Sequence, residues 1–480
     1  MKSLWYRELK RYPAEKIRLE LGASGQQLID RLISANILRR VNSGSEDPSL
    51  DELLELAPEE EPMLVFNFCG IILLGDILLH CYPKYILKGD GRASFPLVLK
   101  AIERYDRHRR QYLDMARQGK QTGSFLSIII AILEDYRHNG LYRVSNVEIE
   151  TNGEGETDWQ LTINKHEPFF INADSGRRPV YMNRETARRR TDRENFFRLV
   201  HMSILDECFD LLHKMELEKI IPPPRGKFRA ARLANMGSRA YILSRLKQEY
   251  GRQFLESRRA IIRLLIMYLE KKNSKRKRTP VIFYGTNAMN MVWEKALAEV
   301  LDNQLYYPVK DIEALPIEQR ELCEYRDKRL IDLIEHPIWE LAGDCGRVAK
   351  DTLRPDTISL TNDSFLIYDA KYYTPRVDKG RISGQPGLES ITKQYLYHLA
   401  YRDFLEDFNI TKVKNIFIMP EEHDESRNAV SRELGKVTFD LLGQYTNTDV
   451  GAICLDADEV WQAYAAGRLL DLQPGGKGWT

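Results

Sequence analysis

The chain has few of the features that mark membrane, redox or zinc proteins. Its six cysteines are scattered over 480 residues, and no two of them have the C-x-x-C spacing of zinc and redox motifs. Scattered thiols are typical of a reducing compartment. The N-terminus, Met-Lys-Ser-Leu-Trp-Tyr, does not form a signal peptide, and the apolar run Ile71–Leu79 is interrupted and too short to cross a bilayer. We therefore expect a cytoplasmic protein without a membrane contact.

A nucleotide-binding phosphate loop is missing as well. The pattern G-x4-G-K-[ST] does not occur, so we expect that the chain does not bind and hydrolyse a nucleotide by itself. Charged residues make up 29% of the chain and apolar residues 43%, as in soluble globular proteins. The length of 480 residues predicts about two to four domains.

Charge is separated along the chain, although the net charge is only +1. Acidic residues cluster in Glu46–Glu61, and basic residues cluster in Gly176–Arg193 and Lys271–Arg278. Such separation predicts a surface that binds a polyanion. The arginines that we expect to contact DNA are Arg188, Arg189 and Arg190. Solvated helix faces and a flexible linker are the alternative, and for Lys271–Arg278 the linker is the better interpretation.

The N-terminal region combines helices with a β-hairpin. Apolar residues recur at helical spacing within residues 1–45, and Glu20–Val41 resembles a helix-turn-helix. A short winged-helix module and an ordinary helical hairpin are equally good interpretations of this segment. Residues 63–86 predict a β-hairpin or a three-stranded meander, with Gly75-Asp76 as a turn.

The middle of the chain alternates between helical and strand patterns. Amphipathic helices are expected at Phe95–Gln118 and Gly123–Asn139. A β-rich piece follows over residues 142–181 and includes Glu156–Ile163. Residues 194–271 predict long helices that are interrupted by prolines.

We expect three domains, which are a helical domain over 1–60, a mixed β-hairpin and helical docking region over 61–278, and an α/β domain over 279–480. The last boundary follows from Thr279-Pro280 after the basic run. The helices expected in the last domain are Ala288–Leu301, Leu388–Leu405, Ser426–Gln444 and Ala457–Leu469, and its later strands are Lys414–Met419 and Asp449–Leu455. Alternating strands and helices predict an α/β layer with a mixed sheet, so the whole chain is an α+β multidomain protein.

The residues that point to chemistry are Asp356, Asp369 and Lys371. They form the pattern P-D-x12-D-A-K, and the last two lie in the strand-like run Phe365–Tyr373. Alternate residues of a strand share one face, and a neighbouring strand with Asp356 brings a second carboxylate beside them. Two carboxylates and a lysine amine suit Mg²⁺-dependent phosphodiester hydrolysis. The pattern alone is loose, and a loop aspartate near a solvated strand edge is the alternative.

Seven short blocks, taken together, resemble one family. In chain order the blocks are the hairpin Gly70–Tyr85, Asp158-Trp159 with Thr162-Ile163, Arg178-Pro179-Val180-Tyr181, Trp293-Glu294, Arg354-Pro355-Asp356, Asp369-Ala370-Lys371 and Lys393-Gln394. The chain resembles a LlaJI-type restriction endonuclease, related to the McrC nuclease subunit of McrBC systems, from about Phe66 to His398. The resemblance implies a C-terminal PD-(D/E)XK core and cleavage of double-stranded DNA in anti-phage defence, with Mg²⁺ as the cofactor and Mn²⁺ as a substitute.

The resemblance also implies roles for single residues. Asp356 and Asp369 would bind the metal, and the Ala370 carbonyl would be a further ligand. Lys371 would orient or help to deprotonate the attacking water and stabilise charge on the phosphate. Glu294, on the preceding helix, would be an accessory carboxylate near the metal, unless it is a solvated helix residue.

Other residues of these blocks have less specific interpretations. By the same resemblance, Gln394 would contact DNA or hold the site in shape, and a helix-terminal hydrogen bond is the alternative. We expect Trp159 to pack in the core or to have another structural role, Asp158 to be a loop charge and His398 to be a packed or capping histidine.

A partner is implied by the same resemblance. McrC-like subunits act with an AAA+ GTPase of the McrB type, and the missing phosphate loop agrees with that division of labour. The hairpin Gly70–Tyr85 and the middle domain would dock onto this partner, and two copies of the chain would meet as a homodimer during cleavage. Two other hypotheses are a stand-alone sequence-specific restriction endonuclease and a non-catalytic DNA-binding scaffold.

Overall fold

A computed structural model gives the structure of the chain. It describes residues 1–41, 62–108, 125–143, 145–173, 176–191, 195–223, 228, 230–274, 281–340, 346–361, 364–378, 381–426, 429–446, 448–470 and 472. The acidic run Glu46–Glu61, residues 275–278 of the basic run and the predicted helix end at Gln118 lie outside the described residues.

The strands, in chain order, are β1 (Lys2–Arg7), β2 (Arg11–Pro13), β3 (Leu38–Val41), β4 (Met63–Phe66), β5 (Cys69–Leu74), β6 (Ile77–Tyr82), β7 (Ser145–Thr151), β8 (Glu156–Thr157), β9 (Phe169–Ala173), β10 (Gly176–Val180), β11 (Glu185–Thr191), β12 (Val281–Thr286), β13 (Ile338–Trp339), β14 (Arg347–Val348), β15 (Thr357–Leu360), β16 (Phe365–Ala370), β17 (Arg376–Asp378), β18 (Arg381–Ser383), β19 (Val413–Glu421), β20 (Ser431–Val437) and β21 (Val450–Asp456).

The α-helices are α1 (Ala14–Leu21), α2 (Gly25–Ser34), α3 (Phe95–His108), α4 (Phe125–Asn139), α5 (Trp159–Lys165), α6 (Phe196–Lys214), α7 (Arg239–Arg252), α8 (Glu256–Ser274), α9 (Met289–Val300), α10 (Ile317–Leu322), α11 (Leu388–Ala400), α12 (Arg402–Asp407), α13 (Asp440–Thr446) and α14 (Ala457–Ala466). Short 3₁₀ helices lie at Gly22–Ser24, Leu233–Met236, Val309–Asp311 and Leu330–Leu333. None of the helices in the described part of the chain has the length and apolar character needed to span a membrane.

The chain divides into two compact units. One joins Met1–Arg110 with Pro280–Thr480, and the other is Gln111–Thr279. This division differs from the three consecutive domains 1–60, 61–278 and 279–480, because β12 pairs with β5 and so joins the two ends of the chain in one sheet. Gly70 and Gly285 are opposite each other in that pair, and a Cβ on Gly70 would lie 2.1 Å from the Tyr284 carbonyl oxygen. Only glycine therefore fits at this close approach of two backbones.

The N-terminal part of the first unit contains more strand than predicted. Its four-stranded sheet has the order β1-β6-β5-β12, and a second sheet has the order β2-β4-β3. The prediction that residues 1–45 are helical is wrong at β1, β2 and β3, because β1 pairs in parallel with the distant β6. The helices α1 and α2 occupy the predicted helix-turn-helix, and residues of both pack with the buried Leu64 and Phe66 of β4. The predicted hairpin is present as β5 and β6, which Gly75 joins with a φ of 64°.

The unit Gln111–Thr279 is built from helices and two small sheets. The sheets have the orders β7-β11-β8 and β10-β9, and the long helices are α4, α6, α7 and α8. The predicted strand over Glu156–Ile163 is wrong after Thr157, because α5 starts there. Asp158 caps α5 by accepting a hydrogen bond from the Leu161 N–H at 3.0 Å. Trp159 is 53% exposed, so the prediction that it packs in the core is wrong as well.

The C-terminal part of the first unit is a five-stranded mixed sheet. The strand order is β15-β16-β19-β21-β20, with β16, β19 and β21 parallel and both edge strands antiparallel to their neighbours. Buried residues of α3, α9 and α14 pack with the sheet in one apolar cluster, and residues of α11 and α12 pack with it in another. Helices therefore cover both faces, as the alternation of elements predicts.

Two element predictions in this region are wrong in part. The predicted helix Ser426–Gln444 contains the edge strand β20 and only the short α13. An irregularity between Glu433 and Gly435 shifts the register of β20. This bulge interrupts the two-residue alternation by which a strand is recognised in a sequence. The predicted helix Leu388–Leu405 is interrupted at Tyr401, which separates α11 from α12.

Candidate active site

The two aspartates of the P-D-x12-D-A-K pattern come together where two neighbouring strands meet. In the antiparallel pair β15 and β16, Thr357 is opposite Tyr368. Asp356 precedes β15 directly and Asp369 lies near the end of β16, so both carboxylates lie at the same end of the pair. Lys371 follows β16 and donates its N–H to the Ile418 carbonyl of β19 at 2.8 Å. The local strand pairing therefore places all three residues at the same end of the β15–β16 pair.

Asp356 is half-buried and faces Asp369. Its Oδ2 accepts a hydrogen bond from the Ala370 N–H at 2.9 Å. Burial, the hydrogen bond with the Asp369 carboxyl, and the charges of Asp369 and Glu294 raise the pKa of Asp356 to about 8, and the Ala370 N–H opposes the shift. Two buried carboxylates that share a site disfavour double ionisation. A cation between them would relieve that repulsion.

Asp369 is paired with Lys371. It is 6% exposed, and its Oδ2 lies 2.9 Å from Lys371 Nζ. The ammonium group also lies 6.0 Å from the centroid of the Phe417 ring. Because a buried carboxylate is costly without a partner, this ion pair explains how Asp369 is accommodated inside the sheet. It also places one positive charge directly beside the two carboxylates.

Two further residues hold the backbone of the Asp356 segment. Asn303 Nδ2 donates to the Asp356 carbonyl at 3.0 Å, and Asn303 Oδ1 accepts the Ile358 N–H at 3.1 Å. The Tyr397 hydroxyl donates to the Arg354 carbonyl at 3.0 Å. No sequence pattern marked either residue for this role. The only signal is that Asn303 follows a helix end, where asparagine often makes side-chain to backbone bonds.

Glu294 lies on the exposed side of α9, and its charge is one of the causes that raise the pKa of Asp356. The adjacent Trp293 is buried and donates its Nε1–H to the Ile418 carbonyl at 3.4 Å. This carbonyl is the one that accepts the Lys371 N–H. The helix α9 is therefore bonded to the strand end that carries the candidate site.

Gln394 lies on α11 and is fully buried, at 0% exposure. Neither atom of its side-chain amide has a hydrogen-bond partner among the described residues. The alternative of a helix-terminal hydrogen bond is therefore wrong in this structure. His398, one turn further on, contacts Thr448 Oγ1 through Nδ1 at 3.1 Å. Burial, with a smaller effect of Arg402, lowers its pKa to about 4, so it is a neutral packed histidine, as expected.

The predicted DNA contacts are placed only in part. Arg188, Arg189 and Arg190 belong to β11, which pairs with β7. Their side chains lie outside the part of the structure that is described. Their role in DNA binding stays a prediction.

The donor set fits Mg²⁺ better than a transition metal. The described residues contain no group of three or more His, Cys, Asp and Glu side chains that could hold a metal. Mg²⁺ needs fewer, because it is usually held by one or two carboxylates and keeps several waters. Asp356 and Asp369 supply two carboxylates. The Ala370 N–H points to Asp356, so the carbonyl of the same residue lies on that side of the strand.

The chain is similar to several known proteins. Residues 68–458 match the family model of the LlaJI restriction endonuclease. The type II restriction enzyme BsuMI component YdjA of Bacillus subtilis (strain 168) is 25% identical over 424 residues, which cover 84% of this chain and 81% of that protein.

Two solved structures are also similar. One is a half-complex from a tetradecameric assembly of Thermococcus gammatolerans McrB AAA+ hexamers with bound McrC, with a TM-score of 0.39, 12% identity, and 97% of this chain and 99% of that chain covered. The other is a cryo-EM structure of the Thermococcus gammatolerans McrBC complex, with a TM-score of 0.26, 13% identity, and 63% and 88% covered.

Proposed function

The chain belongs to the LlaJI restriction endonuclease family, and from this premise we propose that it cleaves double-stranded DNA at a Mg²⁺ site of the PD-(D/E)XK type formed by Asp356, Asp369 and Lys371. As a member of that family it is an endonuclease of a restriction system. The observation that carries the proposal is the meeting of two carboxylates from neighbouring strands, with the Lys371 ammonium 2.9 Å from Asp369.

Each residue has a task that follows from its position. Asp356 and Asp369 would hold the cation, with the Ala370 carbonyl as a further oxygen ligand. When bound, Mg²⁺ supplies Lewis-acid activation of the phosphate and lowers the pKa of a water. Lys371 would stabilise the negative charge that the phosphate gains during attack, since a fixed positive charge in a partly buried site is effective there. Glu294 would be an accessory carboxylate, and its charge is one of the causes that raise the pKa of Asp356.

Substitutions that replace a charged side chain of the site with a neutral one test this proposal. With the partner GTPase, GTP and Mg²⁺ present, Asp369→Asn and Lys371→Met should reduce cleavage of plasmid DNA by about 100-fold or more, and a chelator should abolish cleavage by the unsubstituted chain. Mn²⁺ should restore it. Lys436 and Asp449 form a matched control, because they are an exposed ion pair in the same sheet at 2.7 Å. Asp449→Asn and Lys436→Met should cleave normally.

The result that contradicts the active site is equally clear. Normal cleavage by Asp369→Asn would reject this active site, whereas a lack of cleavage by the unsubstituted chain with its partner present would favour the non-catalytic scaffold. A melting temperature that falls far more for Asp369→Asn than for Asp449→Asn would show that the carboxylate is structural. Circular dichroism and thermal melting of each variant separate these outcomes from loss of catalysis.

A partner AAA+ GTPase of the McrB type is the second part of the proposal. The relative from Bacillus subtilis is described as a component of a restriction enzyme. In this chain β5 is buried throughout, so the hairpin offers little surface for docking. The unit Gln111–Thr279 exposes apolar side chains instead, with Phe169 at 64%, Phe170 at 61% and Trp159 at 53%. Exposed apolar side chains are available for contact with another protein, so we propose that this unit makes the partner contact.

Reconstitution distinguishes this assignment from a stand-alone enzyme. The purified chain should cleave DNA only when the GTPase of its own system and GTP are added. Phe169→Ser with Phe170→Ser should abolish that stimulation and leave the melting temperature unchanged, because both side chains are exposed. Cleavage at a defined sequence by the chain alone would instead establish the stand-alone restriction endonuclease. Sedimentation in the presence of DNA would show whether two copies assemble during cleavage.

The arginines of β11 are proposed to contact DNA phosphates. If Arg188, Arg189 and Arg190 release counterions, replacing all three with alanine should lower the slope of log K against log salt by up to about 3. A slope equal to that of the unsubstituted chain would reject the contact.

A further inference from the structure

The loop that follows β6 reaches the end of the strand that carries the candidate site. Lys84 Nζ lies 5.0 Å from the centroid of the Tyr372 ring and 5.9 Å from that of Tyr373. These tyrosines are the two residues that follow Lys371. Lys84 is half-buried in this position. A residue from the N-terminal part of the chain is thus brought to the edge of the C-terminal sheet.

Two carboxylates fix this loop. The buried carboxylate of Glu8 accepts the Lys84 N–H at 3.2 Å and the Tyr372 hydroxyl at 2.7 Å. At the far end of the loop, Glu422 accepts the N–H groups of Leu87, Lys88 and Gly89 at 2.8, 2.7 and 2.6 Å. Glu422 directly follows β19. The loop is therefore bonded to the end of β19 through Glu422, and Lys84 shares the carboxylate of Glu8 with Tyr372, which follows β16.

Within the described part of the chain, the Lys84 ammonium contacts two aromatic rings and forms no ion pair. No carboxylate there lies within ion-pair distance of its ammonium, whereas the Lys371 ammonium is paired with Asp369. Glu8 bonds the backbone of Lys84 and not its side chain. An ammonium group has three donors, and the faces of two aromatic rings satisfy none of them fully. The structure thus holds a positive charge without an ion-pair partner beside the two tyrosines that follow Lys371.

We propose that Lys84 is a positioning residue that binds a phosphate of the DNA strand next to the bond that is cut. The inference rests on the proposed function of Asp356 and Asp369. Those carboxylates repel a phosphodiester chain, so the strand needs positive charge beside them to stay in place. Lysine binds phosphate as a point charge, and the fixed loop keeps that charge at the sheet edge without help from a flexible segment.

The test compares Lys84→Gln with Lys84→Arg in the full chain, and Lys88→Gln is the control from the same loop. Binding of a short fluorescent duplex in the presence of a chelator is measured over a range of salt concentrations. Lys84→Gln should weaken binding about 10-fold and lower the slope of log K against log salt by about 0.9. Lys84→Arg should keep both values, and Lys88→Gln, whose side chain is exposed, should match the unsubstituted chain.

Cleavage kinetics add a second measurement. Lys84→Gln should raise KM by a similar factor and change kcat little, whereas Lys371→Met should lower kcat. An unchanged salt slope and KM in Lys84→Gln would overturn the inference even if Asp369→Asn abolishes cleavage. An equal loss of thermal stability in Lys84→Gln and Lys84→Arg would also overturn it. Normal cleavage by Asp369→Asn would instead reject the proposed active site, and the Lys84 inference with it.

Discussion

The Glu8 carboxylate accepts a hydrogen bond from the Tyr372 hydroxyl at 2.7 Å. Glu8 is 5% exposed and Tyr372 is 6% exposed. Burial and the charge of Glu8 together raise the pKa of Tyr372 well above its ordinary value. No ion pair of Glu8 occurs among the described residues, so the carboxylate is stabilised by neutral donors, the hydroxyl and the Lys84 N–H. The first strand of the chain is thereby joined to the strand of the candidate site.

This pair predicts a measurable coupling. Tyr372→Phe leaves a buried carboxylate with one donor fewer and should lower the free energy of unfolding by about 1–3 kcal/mol. Glu8→Gln should cost less, because an amide oxygen still accepts both hydrogen bonds. Urea unfolding of both variants and of the double variant measures the coupling, which should be about 1–2 kcal/mol. Additive effects would contradict a direct bond.

The raised pKa of Asp356 predicts how the metal-free chain responds to pH. The fold favours the protonated carboxyl, so this contribution to stability is complete below the unfolded pKa of about 4. It is lost as the pH rises through the folded pKa of about 8. In a chelator, Asp356→Asn should therefore be more stable than the unsubstituted chain at pH 9 by on the order of a few kcal/mol.

Thermal melting from pH 4 to pH 9 checks this prediction. The difference between Asp356→Asn and the unsubstituted chain should vanish near pH 4 and grow with pH. Added Mg²⁺ should raise the melting temperature of the unsubstituted chain at high pH and leave that of Asp356→Asn nearly unchanged. A difference that does not depend on pH would show that Asp356 and Asp369 do not share a proton.

Asn303 should support catalysis through Asp356. Its side chain bonds the Asp356 carbonyl and the N–H groups of Leu305 and Ile358. Asn303→Ala leaves these groups unsatisfied, which should cost about 1–3 kcal/mol of stability. A shift of Asp356 should lower cleavage by about 10- to 100-fold. Asn303→Asp keeps the oxygen that accepts the two N–H groups. Its stability and its cleavage rate should therefore lie between those of Asn303→Ala and those of the unsubstituted chain. Full cleavage activity at reduced stability would limit Asn303 to a structural role.

The closeness of Asp356 and Asp369 could be predicted from the sequence because their contact is local. Asp356 and Asp369 lie on strands that are neighbours both in the chain and in the sheet. Because alternate residues of a strand share one face, the strand-like run Phe365–Ala370 is enough to predict that Asp369 and Lys371 point the same way. The pairing of β15 with β16 then follows from their short connection. Contacts between neighbouring strands of this kind can be predicted from the spacing of residues along the sequence.

The remaining structure depends on contacts between distant parts of the chain. Asn303 precedes the Asp356 segment by more than fifty residues, and the Glu8–Tyr372 bond spans 364 positions. No periodicity in a single sequence shows which strand lies beside β5 or which loop contacts Tyr372. The same limit explains why the domain boundary at residue 60 does not appear in the structure, since β12 completes the N-terminal sheet.

The last prediction concerns the side-chain amide of Gln394. It distinguishes an amide that affects only the stability of the fold from one that is needed for cleavage. It is fully buried, and neither its amide oxygen nor its nitrogen has a partner among the described residues. Because unsatisfied buried polar groups are costly, Gln394→Met should raise the free energy of unfolding by about 1–3 kcal/mol. Urea unfolding measures this gain, and Gln444→Met at an exposed position should change stability by less than about 0.5 kcal/mol. If Gln394 holds the site in shape, the more stable Gln394→Met chain should cleave DNA more slowly. Faster or equal cleavage by that variant would exclude Gln394 from the active site.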